Sequence, residues 1–520
     1  MTIPFLYEDF KFFNNIQKEG IVIKIIGGLP HGGDSTKIIH GITEDIKKFV
    51  KTWRDRQAND PGLHRKMEWE ALRLCARFAG LIIALVLLDR RIRNAAEREG
   101  LKSRPDRVRS PRQVMRNVKL PGGILLRVKT PYCAPKSGTK AKKSRKQEGQ
   151  GIYPAFAALG IFEGKSPLMA DLILRFSLQM PSFEIACKEL TMLGHPLDSK
   201  MPERTVRDFG KQALEARNKK ISDWHAGKLE PETILTGRKV VVSVDGGRLR
   251  TRKKKRKTRK GKNRKYKTPW REPKLLIIYA LDEHGKREKK IKAQIDATMA
   301  GPDEAMELMA YHLFRLGAGE AEVVEFIADG APWIWERIDA VIAMAGLDPK
   351  RCRKVLDIYH AFEHIGEALD ACGLKGKEKK RQMTRLKRKL KAGKVEDVVR
   401  ALQGYLDKSR TDREALGKQI AYITKRRHMM KYDTLKRRRL AIGSGAVESA
   451  IRRVINLRIK SPSMFWNEDT AEAMIHMRSQ LLSDRWDEMM EQIKEHSKVS
   501  RRRNFKLIPT LHQKNRDNAA

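Results

Sequence analysis

The chain has 520 residues, enough for roughly three or four domains, and 40% of them are hydrophobic, as expected of a soluble globular protein. Its 110 Lys and Arg against 63 Asp and Glu give a net charge of +47, which makes a polyanion, foremost nucleic acid, the expected partner. The longest apolar run, Phe78 to Leu88, has only 11 residues and reads as a buried helix, too short to span a bilayer. The opening MTIPFLYEDFKFF lacks the layout of a secretory signal, so a cytoplasmic, nucleoid-associated protein with no membrane partner is expected. Five scattered cysteines without a C-x-x-C pair offer neither a disulfide framework nor a cysteine zinc site.

Residues 1–110 read as a helical N-terminal region in which apolar positions from about 65 to 100 recur at helical spacing, predicting one long helix with a buried face. Residues 111–165 hold a short hairpin, VKLPGGILLRVKTPY turning about Pro-Gly-Gly, and then a basic loop. Residues 166–235 are helical. Two of their helices, PSFEIACKELTMLG and SKMPERTVRDFGKQALEARNKK, flank a His-Pro turn and could form a helix-turn-helix that brings Arg204 and Arg207 to DNA, with ordinary helical packing as the alternative.

From residue 236 the pattern changes. KVVVSVDGG is a β-branched run suited to a strand covered on both faces, and KLLIIYALDEHGK and KIKAQIDA supply two more strands. A helix at Pro302–Leu316, a fourth strand EVVEFIADG, the helix PWIWERIDAVIAMAG and the strand-to-helix string KVLDIYHAFEHIGEALDACG complete a mixed α/β pattern over 236–373. Residues 374–438 are a basic helical insertion, 439–490 a final helical part of the core, and 491–520 a basic tail. Within the core, Arg248 to Arg271 carries 15 Lys and Arg and no acid, so it must be solvated or paired with phosphate. An exposed loop with non-specific DNA affinity would already bind through counterion release.

Three acids stand where a cation site could assemble. Asp245 and Asp329 each end a strand before a glycine, and Glu448 lies early in a helix after Gly-Ser-Gly. Hard oxygen ligands suit Mg²⁺, and a pair of such ions can clamp the attacking and leaving oxygens of a phosphodiester. Each acid also has an ordinary reading: turn residues for the two aspartates, and an i,i+4 partner of Arg452 for Glu448. Ser444 suits a helix cap better than a nucleophile, because no phosphate-loop Lys follows it.

The strings VVSVDGGRLR, WREPKLLIIY, FIADGAPWIW, LDIYHAFEHI, GSGAVESAIRRVINLRIK and MFW resemble bacterial insertion-sequence transposases of the DDE type, distantly similar to Mutator-like transposases. The resemblance runs from about Val240 to Arg478, and more loosely back to the hairpin near Val118. It implies an α/β RNase H-like catalytic core with a helical insertion, preceded by a mainly helical N-terminal region. By motif, Asp245, Asp329 and Glu448 would be the catalytic and metal-binding residues, taking Mg²⁺ with Mn²⁺ as a substitute. The long separation of Asp329 and Glu448 would be taken up by the insertion. Asp357 and His360, a D-x-x-H pair, would be accessory residues orienting DNA near the metals; the ordinary reading of Asp357 is a helix cap. DNA contacts are expected from Arg248, Arg250, Arg252, Lys253, Lys254, Lys255, Arg256, Lys257, Arg204, Arg207, Arg452 and Arg453. The partners implied are double-stranded DNA, both the element's terminal repeats and target DNA, bound by a homo-oligomer.

Two rivals follow from the same residues. A cleavage-inactive descendant would keep the basic surface alone. A zinc metallopeptidase would use His360, Glu363 and His364, which spell H-x-x-E-H, but no third ligand is evident and the charge would have no role in it.

Overall fold

In the computed structural model of the chain, residues 25–27, 33–102, 110–134, 151–254, 266–408, 411–461 and 464–499 are described. Lys255, Arg256, Lys257 and the tail beyond residue 499 lie outside them. Two compact units divide the described chain, one up to Gln212 together with residues from Met490 on, the other Ala213–Met489. The segment 166–235 expected from sequence is thereby shared between them.

In the first unit, strand β1 (Ile25–Gly27) pairs parallel with β3 (Leu125–Tyr132), which pairs antiparallel with β2 (Arg112–Lys119). The hairpin is longer than its sequence signal, because Arg112–Asn117 pair although the strand lacks clean alternation. Its turn needs Gly122 and Gly123, with φ of 70° and 76°. Helices α1 (Gly33–Asn59), α2 (His64–Leu88) and α3 (Arg90–Lys102) precede the hairpin. A single helix over 65–100 was expected, but the chain breaks at Asp89, whose Oδ1 accepts the N–H groups of Arg91 (2.7 Å) and Ile92 (3.1 Å) and so caps α3. The burial expected of α2 is confined to a stripe of Gly80, Leu81, Ala84 and Leu88, while Leu72, Ile82 and Val86 are exposed. By length and composition α2 is long and apolar enough to cross a membrane, the one such helix among the described residues. Helices α4 (Pro154–Ala158), α5 (Pro167–Gln179), α6 (Phe183–Met192) and α7 (Met201–His225) follow. Residues 193–200 join α6 to α7, a longer link than the three- or four-residue turn of a helix-turn-helix.

The second unit is built on a five-stranded sheet with β4 (Lys239–Gly246) in the middle. The order is β10 (Gln294–Thr298), β9 (Lys274–Leu281), β4, β11 (Val323–Ala328), β12 (Cys352–Leu356). Counting these five strands in chain order, the order is 3-2-1-4-5. The first three run antiparallel to their neighbours as a meander, and β11 and β12 run parallel to β4. Both faces of β4 are covered, which is why its sequence is a continuous β-branched run. Val240, Val242 and Val244, with Leu276, Ile278, Val324 and Phe326, form one core with helices α8 (Pro302–Arg315), α9 (Pro332–Trp335) and α10 (Ile338–Met344). Trp333 and Trp335 pack against this core, as covering residues should.

The residues of opposite parity face α16 (Gly445–Ile451), which packs on β4 and β9. Before it come α11 (Ile358–Ala371) and the insertion helices α12 (Gly376–Lys391), α13 (Val395–Gln403), α14 (Arg413–Arg426) and α15 (Tyr432–Arg437). After α16 a π-helical turn, Arg452–Asn456, leads on to α17 (Glu468–Leu482) and α18 (Trp486–Val499).

A buried ion network fixes the sheet edge. Arg217 Nη2 donates to Glu472 Oε1 at 2.6 Å, and Asp296 of β10 sits between His476 (2.9 Å) and His312 (3.0 Å). Burial works against the Asp296 charge, but His476, His312 and Arg217 hold its carboxyl well below the usual range; burial lowers His312 to about 4 and keeps it neutral. With all these groups desolvated, the network ties α7, α8 and α17 to β10 in one arrangement.

Candidate active site

The parallel strands end in a row of carboxylates. The last registered pair between β11 and β4 is Ile327 with Ser243, and the next residues of that parity are Asp329 and Asp245, side by side on the face toward α16. The last pair between β11 and β12 is Ala328 with Leu356, so Asp329 is followed across the sheet by Asp357, whose N–H donates to Ala328 O at 2.8 Å. Register alone therefore puts three aspartates level at the carboxyl edge.

Each is held differently. Asp245 Oδ1 accepts the N–H of Gly246 at 2.6 Å. Burial pushes its carboxyl up to about 6; the Gly246 bond and His360 oppose the shift, while the charges of Asp329 and Glu448 add to it. Asp329 Oδ1 accepts the N–H of Ala331 at 2.9 Å, and its carbonyl accepts from Trp335 Nε1 at 2.6 Å. Asp357 is fully buried, with Oδ1 capping α11 through Tyr359 N–H (2.8 Å) and Oδ2 accepting both the N–H (3.2 Å) and the hydroxyl of Ser444. The capping reading of Asp357 is thus realised alongside its place in the site. Ser444, by contrast, makes no side-chain cap on α16 and gives its hydroxyl to Asp357.

The lead-in to α16 is pinned by the same strands. Ala441 N–H donates to Glu325 of β11 (3.0 Å), Ile358 N–H to Ile442 O (3.0 Å), and Ser444 to Asp357. Gly443 lies so close to the Tyr359 ring that an added Cβ would sit 3.1 Å from it. This pinning presents Glu448 to the edge. Glu448 is exposed and, among the described residues, makes no ion pair, so the expected partnership with Arg452 does not form. Its carboxylate lies within 4.8 Å of ligand atoms of Asp357 and His360. Asp245 and Asp329 are not within that group, although Glu448, Asp329 and His360 all act on the charge of Asp245. Glu448 thus lies beside the Asp357–His360 pair and near enough to Asp245 to act on its charge.

His360 Nδ1 is 3.1 Å from Glu363 Oε2, which orients the ring. His364 does not join the site. Its Nδ1 lies 2.7 Å from Gln419 Oε1, and its ring stacks on Tyr422 at 3.5 Å, both on insertion helix α14. The H-x-x-E-H spacing therefore sends its two histidines to different neighbours. The insertion also reaches the Asp329 turn: Arg426 Nη2 donates to Gly330 O at 2.6 Å and lies 4.0 Å over the Tyr422 ring. Tyr422 and Arg426 had no recognisable signal in the sequence, since only the folded insertion brings them to Gly330.

The basic run beside Asp245 is a β-ribbon where it is described. Leu249–Arg250 (β5) pairs antiparallel with Trp270–Arg271 (β8), and Lys253–Lys254 (β6) with Tyr266–Lys267 (β7). Arg248, Arg250, Arg252 and Lys253 are exposed on it. Of the other DNA-contact candidates, Arg452 is exposed at the end of α16, and Arg453, half-buried, donates Nε to Ser449 O. In the first unit Arg204 lies 3.5 Å from Asp198, and Arg207 lies 3.3 Å from Asp208.

Comparison of the chain with protein-family models, with curated proteins and with solved structures finds no match. Site chemistry alone therefore carries the functional argument.

The donor set suits a hard divalent cation. Asp245, Asp329 and Glu448 supply oxygens; burial and then the charges of Asp329 and Glu448 raise the Asp245 carboxyl, and the Gly246 bond and His360 only partly oppose this. Ser444→Ala is expected to cost about 1.5–3 kcal/mol in urea unfolding, because the fully buried Asp357 carboxylate loses a donor. Ser444→Thr, which keeps a hydroxyl, should recover part of the loss.

Proposed function

We propose that the chain is a DNA transposase of the DDE type, cutting element ends and joining them to target DNA as an oligomer on DNA. The observation that supports it best is the placement of Asp245 and Asp329 on the same face just beyond the last β4–β11 pair, with Glu448 on α16 also acting on the Asp245 charge. The 3-2-1-4-5 strand order, the antiparallel meander and the helical insertion before α16 support the RNase H-like core that the sequence resemblance implies.

Mg²⁺, or Mn²⁺ in its place, would supply charge neutralisation at the phosphodiester and activation of the attacking oxygen when bound. Asp245, Asp329 and Glu448 would hold it. The chain's own part in the reaction is positional: Ser444, Ile442 and Ala441 fix the start of α16, Trp335 and Arg426 fix the turn at Asp329, and Glu363 orients His360. Fixed placement of this kind lowers the barrier without reorganisation during the step. The ribbon beside β4 offers Arg248, Arg250, Arg252 and Lys253 to phosphates close to Asp245.

The test uses the purified full chain and a plasmid carrying the DNA that flanks its own coding sequence. Mg²⁺ or Mn²⁺ should give nicks with 3′-hydroxyl ends at the element boundaries, and EDTA none. Tight binding with no cleavage under either metal would sink the proposal in favour of a cleavage-inactive DNA-binding protein.

A further inference from the structure

The ribbon carries more than charge. Strand alternation sorts its residues into two faces, with Leu249 and Thr251 fully buried on one and Arg250 and Arg252 exposed on the other. The exposed face also bears Trp270, directly across from Arg250, and Tyr266 near Arg252. These rings are 53% and 43% exposed, unusual for Trp and Tyr that a core could have taken.

The planar groups are in contact along the face. The Arg250 guanidinium lies 4.8 Å from the Trp270 ring centre and 6.0 Å from that of Phe465; the Arg252 guanidinium lies 4.7 Å from Tyr266 and 6.0 Å from the same Phe465. Ring and guanidinium thus alternate from Trp270 to Tyr266 through Phe465. Backbone bonds hold Phe465 there, with Arg252 N–H donating to Trp466 O (2.7 Å) and Trp466 N–H to Arg250 O (3.1 Å). Glu468 is engaged with Arg271 at 2.6 Å and lies 4.0 Å from Lys253, and Arg271 and Lys253 are not of the parity of Arg250 and Arg252.

A surface meant only for duplex phosphates needs cations, and exposed rings add nothing to counterion release. Rings interleaved with guanidiniums, in a strongly cationic setting, match the flat faces and phosphates of unpaired nucleotides. We infer that this ribbon face binds unpaired nucleotides of single-stranded DNA by stacking on Trp270 and Tyr266, with Arg250 and Arg252 serving both as stacking partners and as phosphate contacts. The inference rests on the proposed reading in taking DNA as the partner, and it assigns strand-separated DNA as what this face of the site holds.

Binding of the full chain to a fluorescein-labelled 15-nucleotide oligo-dT and to a blunt 25-base-pair duplex, measured by anisotropy in EDTA, tests it. Trp270→Ala and Tyr266→Ala should each weaken oligo-dT binding about 5-fold or more, the double variant more still, and leave duplex binding within about twofold. Trp270→Phe and Tyr266→Phe, which keep a flat ring, should restore most of the single-strand affinity and guard against a folding artefact. Equal losses on both DNAs, or no loss on oligo-dT, overturn the inference. Because EDTA removes cleavage from the measurement, either result leaves the cleavage proposal to its own test.

Discussion

Asp245→Asn and Asp329→Asn are each expected to lower metal-dependent nicking about a thousandfold while leaving DNA binding in EDTA unchanged or slightly tighter. The two carboxylates lie at the end of β4 and just past the end of β11 on one face, and burial together with the charge of Asp329 raises Asp245. Removing one leaves a cation short of a charged ligand where several kcal/mol of transition-state stabilisation are drawn from it. At 1.36 kcal/mol per decade, about 4 kcal/mol is a factor of about a thousand. Glu448→Gln should behave alike, since its exposed side chain makes no ion pair among the described residues and so contributes little to folding. Binding should not fall, because each change removes a negative charge beside the cationic ribbon. Nicking retained within tenfold by all three variants would exclude these residues as the cation ligands.

Asp357 is expected to stand apart from them. Both its oxygens serve the fold, capping α11 and holding Ser444, so Asp357→Asn should lower thermal stability as well as cleavage. A loss of cleavage there cannot be assigned to chemistry until the unfolding midpoint has been compared. His360→Ala gives the cleaner probe of that side of the site, being half-buried and, among the described residues, paired with Glu363 at the surface.

Much of the second unit was legible in the sequence because local signals and tertiary role agree there. A β-branched-rich run such as Val240–Val244 suits a strand covered on both faces, and Asp-Gly after it and after Ala328 marks where each strand stops. The alignment of Asp245 with Asp329 was not legible, since it depends on which strands neighbour each other and in what register. In sequence the ribbon looks like a basic loop for a similar reason. Its charge hides the alternation of Leu249 and Thr251 with Arg250 and Arg252, which becomes visible only once Trp270 is known to lie across from Arg250. In the first unit the error was a missed stop: Asp89 lies within an otherwise helical pattern, and its capping of Arg91 and Ile92 outweighs continuation of α2. The H-x-x-E-H spacing misled because i,i+4 places two histidines on one helix side without saying what faces each, and here α14 takes His364.

Glu325→Gln is expected to stabilise the protein, and by an amount that grows with pH. Glu325 lies fully buried in β11, with Oε2 accepting from Ala441 N–H and Oε1 without a hydrogen-bond partner among the described residues. Burial pushes its carboxyl up to about 8; the Ala441 bond and the Arg353 charge only partly oppose this. In the unfolded chain it titrates near 4.5, the ordinary value of a glutamate. Below that pH the group is protonated in both states and costs nothing. Between about 4.5 and 8 the unfolded chain ionises while the folded one stays protonated, so stability is progressively lost as pH rises, and above 8 the loss is complete. Its full size is of the order of 3–5 kcal/mol at 1.36 kcal/mol per pH unit. Glutamine keeps the acceptor for Ala441 and does not titrate, so the gap between variant and parent in urea unfolding should be small at pH 5 and approach that size at pH 8.5. An equal gap at both pH values would show that Glu325 does not stay protonated in the fold. The position also bears on the site: Glu325 fixes Ala441, three residues before Ser444, and so the strand that leads into Asp329 also anchors the start of the helix that presents Glu448. Glu325→Ala should therefore lower cleavage through loss of that anchor, whereas Glu325→Gln should leave it near the parent level.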